Sequence, residues 1–272
     1  MGARAYRYME TGRGVKLRAV AFGAGNVASH LVPALAESAG LEFVAVWSRT
    51  AEHANALAER IGGAMATTEI NEVPKDADVY LIMAADDMVA RIAEQFPRTE
   101  ALWMHTSGSV AAQSLACVTS NYGVLYPLQT FTRGEQLDIS DVPFFVEGSN
   151  EKVVASIMEV ARAVSRRVYE ADSEMRSKMH VAAVFACNFA NYMWSVADGM
   201  LRRDANLDIS VLEPLLHETL RKAMSIGPSK AQTGPARRGD VAVMEKHKSM
   251  LPEDERMMYD YLSKKILEKY YK

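Results

Sequence analysis

Two glycines near the start of the chain are spaced so that a phosphate could lie against bare backbone. They are Gly23 and Gly25 of FGAGNVASHL, and Ala28 takes the third place of a G-x-G-x-x-G/A pattern. The first glycine of this pattern permits a tight turn, the second lets a pyrophosphate approach, and the small third residue lets a helix pack on its strand. An apolar run precedes the motif and a helical pattern follows it, a context that favours a dinucleotide site over an ordinary glycine turn. The predicted cofactor-binding residues of this segment are Gly23, Ala24, Gly25, Asn26 and Val27.

The end of the second predicted strand indicates which dinucleotide is bound. An NAD site usually has Asp or Glu about 20 residues past the glycines, where it holds the ribose hydroxyls. This chain has Ser48, Arg49 and Thr50 there, with no carboxylate. Because hydroxyl donors and a planar cation suit a 2′-phosphate, we expect NADP rather than NAD. The alternative is that Arg49 is a solvated residue of the next loop.

Small and polar residues follow three later strands, and ligands of open parallel sheets bind at such strand ends. Ala84 and Ala85 would let the nicotinamide side of the cofactor lie against the chain, with Thr106 as a further cofactor contact. The Ser107-Gly108-Ser109 segment could open a helix and bind an anion, or Ser109 could be a plain helix cap. The predicted substrate contacts at this edge are His105, Ser107, Gly108, Ser109 and Gln129. A buried structural role is the alternative for His105.

The C-terminal half offers candidates for proton donation and anion binding. His180 and Asn188 stand just over two turns apart in an apolar helical stretch, so they lie on roughly the same face. A histidine is a suitable acid for a developing alkoxide, and an asparagine could orient a carbonyl or an amide. Arg237 and Arg238 of TGPARRGD could hold a carboxylate or phosphate bidentately. The alternatives are polar groups that satisfy buried neighbours and, for the arginines, a solvated surface pair.

The elements that must position these residues fall into two regimes. From residue 16 to 172, apolar runs alternate with helical patterns, which predicts an α/β Rossmann domain with a doubly wound, mainly parallel sheet. From 173 to 272 the patterns are helical and predict an all-helical substrate and dimerisation domain. Its first stretch, apolar on nearly every face, predicts one buried helix of about thirty residues. Residues 1–15 are expected to form a loose tail.

Composition argues against several classes of function. The 272-residue chain has a formal net charge of −3, which gives no electrostatic case for nucleic acid or membrane partners. Cys117 and Cys187 lie far apart and form neither a metal pair nor a disulfide framework, so we expect no metal and a cytoplasmic protein. The apolar stretch from 179 to 200 contains two asparagines and an aspartate and is not expected to span a membrane.

Five segments resemble a bacterial family that pairs a Rossmann-like domain with a helical domain of unknown function: GAGNVASHL, HTSGS, GVLYPLQTF, HVAAVFACNFANYM and TGPARRGD. Its wider superfamily includes pyrroline-5-carboxylate reductase, the 3-hydroxyisobutyrate and 6-phosphogluconate dehydrogenases, and deazaflavin-dependent NADP reductases. The resemblance implies the fold and the cofactor, and a substrate cleft walled by the long helix, but no particular substrate. In the hydroxyacid dehydrogenase branch a lysine on that helix precedes an asparagine by one turn. Here Lys178 is followed at that spacing by Ala182, so this pair is incomplete.

These observations together predict an NADP-dependent oxidoreductase that transfers a hydride between the nicotinamide and a small anionic substrate. A different class, a nucleotide-binding or redox-sensing protein without turnover, is the alternative, because fold alone does not separate the two. A homodimer through the helical domain is also expected, since its long helix carries more apolar surface than the remaining helices could easily cover.

Overall fold

The computed structural model describes residues 16–271, and the tail expected at residues 1–15 lies outside them. Contacts divide the chain into two compact units, with the division between Val184 and Phe185. The predicted domain boundary at residue 172 lies earlier, just before a helix that begins at Ser173, and it stays a prediction.

The first unit is built on an eight-stranded sheet with the strand order β3-β2-β1-β4-β5-β6-β7-β8. The strands are β1 (Leu17–Phe22), β2 (Leu41–Trp47), β3 (Met65–Thr67), β4 (Val79–Ile82), β5 (Leu102–His105), β6 (Tyr122–Pro127), β7 (Phe144–Gly148) and β8 (Val168–Glu170). The strands from β3 to β6 in this order are parallel, whereas β7 is antiparallel to β6 and parallel to β8. The order reverses between β1 and β4, as in doubly wound folds, so the predicted α/β Rossmann class is confirmed.

Helices connect most of the strands and cover both faces of the sheet. The α-helices of this unit are α1 (Asn26–Ser38), α2 (Ala51–Arg60), α3 (Met88–Ala93), α4 (Glu151–Val164) and α5 (Ser173–Ala183). Ala19 and Ala21 of β1 belong to one buried cluster. Val20 and Phe22, which point to the opposite face, belong to another. Both faces of the sheet are therefore packed, and its ligand-accessible groups are confined to the strand ends.

The helical region does not begin with the single regular helix that the sequence predicts. A π-helical turn, Val184–Phe189, separates α5 from α6 (Ala190–Ala205). The other α-helices are α7 (Glu213–Ile226), α8 (Pro228–Ala231), α9 (Pro235–Arg238), α10 (Val241–Ser249) and α11 (Glu253–Tyr270). A single π-helical turn shifts the spacing of the apolar residues only locally. In a stretch that is apolar on nearly every face, such a shift is too small to be seen in the sequence.

The expectation that this long helix is buried on all sides is wrong for the chain by itself. No residue of α6 is buried, and Tyr192 and Trp194 are 56 % and 44 % exposed. In the π-helical turn, Phe185 is 66 % exposed. The sequence pattern records which faces are apolar, but it carries no information about what covers them.

Candidate functional site

The turn after β1 requires glycine at its first position. Gly23 has a φ of +107°, a region that side chains rarely tolerate, and a Cβ there would collide with the carbonyl oxygen of Met83. The Gly23 N–H donates to the carbonyl of Trp47 at 2.7 Å, and the Met83 N–H donates to that of Phe22 at 2.6 Å. The glycine turn is therefore fixed at the carboxyl edge of the sheet, between the ends of β2 and β4.

Nothing in the described protein requires glycine at the second position. Gly25 has a φ of −83°, and a Cβ on it would meet no atom within 4 Å. It is the N-cap residue of α1, and no side chain caps this helix end. Because the first N–H groups of a helix have no partner within the helix, an open and uncapped N-terminus fits a phosphate group. Ala24, Asn26 and Val27 adjoin this opening, and their contact with a cofactor stays a prediction.

The three residues predicted to select NADP stand together at the end of β2. Ser48 is buried, and its Oγ accepts a hydrogen bond from the Thr50 N–H at 3.3 Å. Arg49 is exposed and has no hydrogen-bond or ion-pair partner within residues 16–271. Trp47, the last residue of β2, accepts a hydrogen bond from the Gly23 N–H through its backbone carbonyl. The Ser48–Thr50 segment that follows it therefore lies directly beside the glycine turn.

The predicted residues at the ends of β4 and β5 continue along the same edge. Ala84 is half-buried and Ala85 is exposed, and both follow Met83, against which the glycine turn lies. The Thr106 N–H donates to the carbonyl of Ile82 at 3.1 Å, which brings the end of β5 beside the end of β4. The small residues thus leave the edge open from the glycine turn towards β5.

His105 at the end of β5 is completely buried. Its Nδ1 accepts a hydrogen bond from the Ser107 N–H at 3.1 Å, and its Nε2 has no partner within the described residues. Burial, aided by the positive charge of Arg176, lowers the pKa of His105 to about 3, so the imidazole is neutral near pH 7. This geometry matches the structural alternative for His105, and a substrate contact stays a prediction.

The expectation that Ser107-Gly108-Ser109 opens a helix is wrong. The segment forms a bend, and a 3-10 helix begins only at Ala112. Ser107 Oγ accepts hydrogen bonds at 3.0 Å from the N–H groups of Ser109 and Val110, so Ser107, rather than Ser109, closes the turn. Competition by a serine hydroxyl for nearby backbone N–H groups is a known reason why such segments favour turns over helices.

A tyrosine and a histidine meet beside this turn. The Tyr126 hydroxyl, at the end of β6, lies 2.9 Å from Nδ1 of His180 on α5, and their rings pack edge to face. A Cβ on Gly108 would lie 2.7 Å from the His180 ring, so only glycine leaves room for the imidazole. Burial raises the pKa of Tyr126, so the phenol keeps its proton near neutral pH and can either donate to Nδ1 of His180 or accept from it.

A buried arginine fixes the helix that carries His180. Arg176 lies one turn before it on α5 and is 0 % exposed. Its guanidinium donates to Glu147 of β7, to the carbonyl of Ser107 at 3.2 Å and to the carbonyl of Val110. Glu147 also accepts from the Ser173 hydroxyl. One side chain therefore ties α5 both to the turn after β5 and to the antiparallel strand β7.

Sequence reasoning missed Tyr126, Arg176 and Glu147 as site residues. Tyr126 lies next to the Pro127–Gln129 strand end, and this position was the available signal. Arg176 and Glu147 carried no local signal, because isolated charged residues in a helix and a strand are usually solvated.

The remaining predicted residues lie apart from this cluster or in the second unit. Gln129 is exposed, and its Oε1 accepts from the Thr130 N–H at 2.8 Å. Asn188 is exposed in the π-helical turn, and Arg238 is exposed in α9. Arg237 donates to the carbonyl of Tyr270 at 3.2 Å and stacks on that ring at 4.8 Å. The catalytic role of Asn188 and the substrate-binding roles of Gln129, Arg237 and Arg238 stay predictions.

Residues 16–271 also bear on metal binding and on membrane insertion. No group of three or more His, Cys, Asp or Glu residues could hold a metal ion there. No helix in the same range is long and apolar enough to cross a membrane.

The sheet and the glycine turn define a Rossmann-type protein, the class in which dinucleotides bind at the carboxyl edge. Residues 9–97 match the family described as shikimate/quinate 5-dehydrogenase, and residues 142–266 match a domain of unknown function, DUF2520. A protein from Bacteroides fragilis, whose crystal structure is provisionally described as that of an NADP oxidoreductase, has 39 % sequence identity to this chain. The two structures superpose with a TM-score of 0.85, and the match covers 93 % of this chain and 98 % of that one. The chain belongs to the family of this protein, and its own sequence joins a Rossmann domain to a region that matches DUF2520.

More distant structures share the fold. A reductive aminase from Aspergillus terreus, in complex with NADPH and ethyl levulinate, is 15 % identical with a TM-score of 0.71, covering 94 % of this chain and 95 % of that chain. Pyrroline-5-carboxylate reductase from Streptococcus pyogenes is 10 % identical with a TM-score of 0.57, covering 93 % and 99 %. No curated protein matches the chain.

Removing Arg176 should destabilise the first unit strongly. In Arg176→Met, Glu147 loses its buried cationic partner, and two carbonyls lose a donor, so we expect a loss of about 3–5 kcal/mol in the free energy of unfolding in urea. Arg166→Met, which breaks an exposed ion pair with Asp141, should leave the free energy of unfolding nearly unchanged, because water screens such a pair. The double variant Arg176→Met/Glu147→Leu should regain part of the loss. If Arg176→Met lowers the free energy of unfolding as little as Arg166→Met does, the buried ion pair does not stabilise the unit.

Proposed function

We propose that the chain is an NADP-dependent oxidoreductase that transfers a hydride between the nicotinamide and a small substrate with an anionic group. The observation that carries this proposal is the hydrogen bond between Tyr126 and His180, on the same sheet edge as the glycine turn. The Bacteroides fragilis relative, described as an NADP oxidoreductase, supports the cofactor, as do the fold neighbours crystallised with NADPH.

The residues at the carboxyl edge fit NADP. The opening at Gly25 and the uncapped start of α1 would receive the pyrophosphate, because a side chain at this position would fill the space that the phosphate needs. Ser48, Arg49 and Thr50 would bind the 2′-phosphate. Small residues beyond the glycine turn would leave the nicotinamide half room along the edge, namely Ala84, Ala85 and Thr106.

When bound, NADPH supplies a hydride to an electrophilic carbon. The protein must then supply a proton to the substrate oxygen or nitrogen that gains the electron pair. His180 is our candidate donor, because an imidazolium can give its Nε2 proton to the substrate while its Nδ1–H donates to the Tyr126 oxygen. Its Nδ1 is held by the Tyr126 hydroxyl, which fixes the orientation of the ring and leaves Nε2 without a hydrogen-bond partner in the described chain. In the reverse direction the same nitrogen would accept the proton.

The alternative of a nucleotide sensor without turnover predicts apolar side chains where a proton donor would stand. A titratable pair at the end of β6, beside a glycine that makes room for it, favours an enzyme.

We further propose that the first unit binds NADP and that the helical region binds substrate and forms a homodimer. The large exposed apolar side chains of the second unit support the dimer, because a stable monomer rarely leaves so many on one set of helices. They include Phe185, Phe189, Tyr192, Trp194, Leu215, Leu220 and Met224.

Light scattering at micromolar concentration tests the homodimer. We expect a mass of twice the 30.0 kDa of one chain, and a shift towards one chain mass in Leu220→Glu. Lys222→Glu, two positions away on α7 and polar in the parent, should remain dimeric. A parent protein that scatters as a monomer would contradict the proposal.

Fluorescence titration with NADPH and NADH tests the cofactor. Arg49→Ala should weaken NADPH binding about tenfold or more and leave NADH unchanged, because only NADPH carries the 2′-phosphate. Arg98→Ala, which also removes an exposed arginine, should bind both as the parent does. NADPH binding no tighter than NADH in the parent would refute the NADP assignment.

Single-turnover oxidation of NADPH, followed at 340 nm with a panel of small 2-oxo acids and cyclic imine carboxylates, tests the reaction. His180→Gln should lower the rate about 10²–10⁴-fold, and Tyr126→Phe should lower it less, with NADPH affinity unchanged in both. His247→Gln is the matched control, since His247 Nδ1 lies 2.8 Å from the Tyr259 hydroxyl in the second unit. The enzyme proposal fails if NADPH binds but no panel member oxidises it.

A further inference from the structure

The loop between β6 and β7 lies against the first two turns of α1. Nε2 of His30 is 2.9 Å from the carbonyl oxygen of Thr132, and the His30 ring packs on Phe131 with 5.4 Å between centroids. The Arg133 N–H donates to Oδ1 of Asn26 at 3.3 Å. These contacts hold the loop at the end of α1 that the glycine turn opens.

Arg133 extends from this loop onto the glycine turn itself. Its Nη2 donates to the carbonyl of Ala24, the residue between the two motif glycines. A guanidinium has five N–H donors, so this contact leaves others available. Ala24 offers a neutral carbonyl, and no acidic side chain within residues 16–271 pairs with Arg133. The arginine therefore places an uncompensated positive charge at the turn.

A pyrophosphate at this turn needs more than the helix end supplies. The N-terminus of a helix has an effective charge of about +0.5, whereas a dinucleotide pyrophosphate carries two negative charges. No protein atom of the described residues lies within 4 Å of the position that a Gly25 Cβ would take, so the opening beside the Arg133 contact is free for a phosphate. Arginine suits this role because its planar fork binds phosphate oxygens bidentately.

We propose that Arg133, carried by the β6–β7 loop, is a pyrophosphate-binding residue that clamps the dinucleotide against the glycine turn. This inference rests on the proposed cofactor and adds to it a residue outside the Rossmann motif. It differs from the role of Arg49, because a pyrophosphate is common to NADP and NAD. Loss of Arg133 must therefore weaken both cofactors by the same factor, whereas loss of Arg49 changes the ratio between them.

The experiment is a fluorescence titration of NADPH and NADH with the parent protein and with Arg133→Ala. We expect both dissociation constants to rise about tenfold, with their ratio unchanged and with a weaker dependence on salt concentration. Arg133→Lys, which keeps a point charge without the fork, should lose less. If circular dichroism shows that Arg133→Ala is misfolded, the affinity of Arg133→Lys for the two cofactors becomes the test of the proposal.

Two matched variants separate charge from loop anchoring. Arg60→Ala removes an arginine whose guanidinium donates to a carbonyl of α1, that of Ser29 at 2.9 Å, and not to the glycine turn. His30→Ala removes one contact between α1 and the loop, and it keeps both the Arg133 charge and the bond of the Arg133 N–H to Asn26. Arg60→Ala should bind both cofactors as the parent does, and His30→Ala should lose clearly less affinity than Arg133→Ala. Unchanged affinity in the Arg133 variants, or an equal loss in His30→Ala, would overturn the clamp. A parent protein that binds neither cofactor would instead overturn the proposed function, and the clamp with it.

Discussion

The ion pair between Arg176 and Glu147 is the interaction on which the site depends. A charged group without water needs both a counter-ion and hydrogen bonds, so burying Arg176 forces Glu147, Ser107 and Val110 to meet it. Those partners belong to β7 and to the turn after β5. The same helix carries His180 one turn later, and the pair therefore determines where the imidazole stands relative to the sheet edge.

The direction of the strands explains why so many functional groups share this edge. β1, β2, β4, β5 and β6 are parallel, so every segment that follows them starts on the same side. The glycine turn, the cationic end of β2 and Tyr126 arise in this way. The return of the chain into the antiparallel β7 makes the connection after β6 a loop at that edge, and this loop brings Arg133 onto the glycine turn.

Much of the fold could be predicted because its signals are local. Buried strands of a parallel sheet appear as continuous apolar runs, and the helices between them show their own period. The errors have physical causes. The π-helical turn changes one turn of an apolar stretch whose period was already weak. At Ser107 the side-chain hydroxyl binds the backbone N–H groups that a helix start would have left free, so a turn forms there. The exposed α6 shows the same limit, since an apolar face does not identify its partner.

The sequence by itself determined the class of fold, the glycine turn and the Ser48–Thr50 strand end, because each depends on neighbouring residues whose conformation is set locally. Only the tertiary structure decided which distant side chains meet. Tyr126 and His180 are 54 positions apart, Arg176 and Glu147 are 29, and Arg133 and Ala24 are 109. The energy of such contacts comes from burial and charge compensation after the sheet has formed, and no periodicity in the chain encodes it.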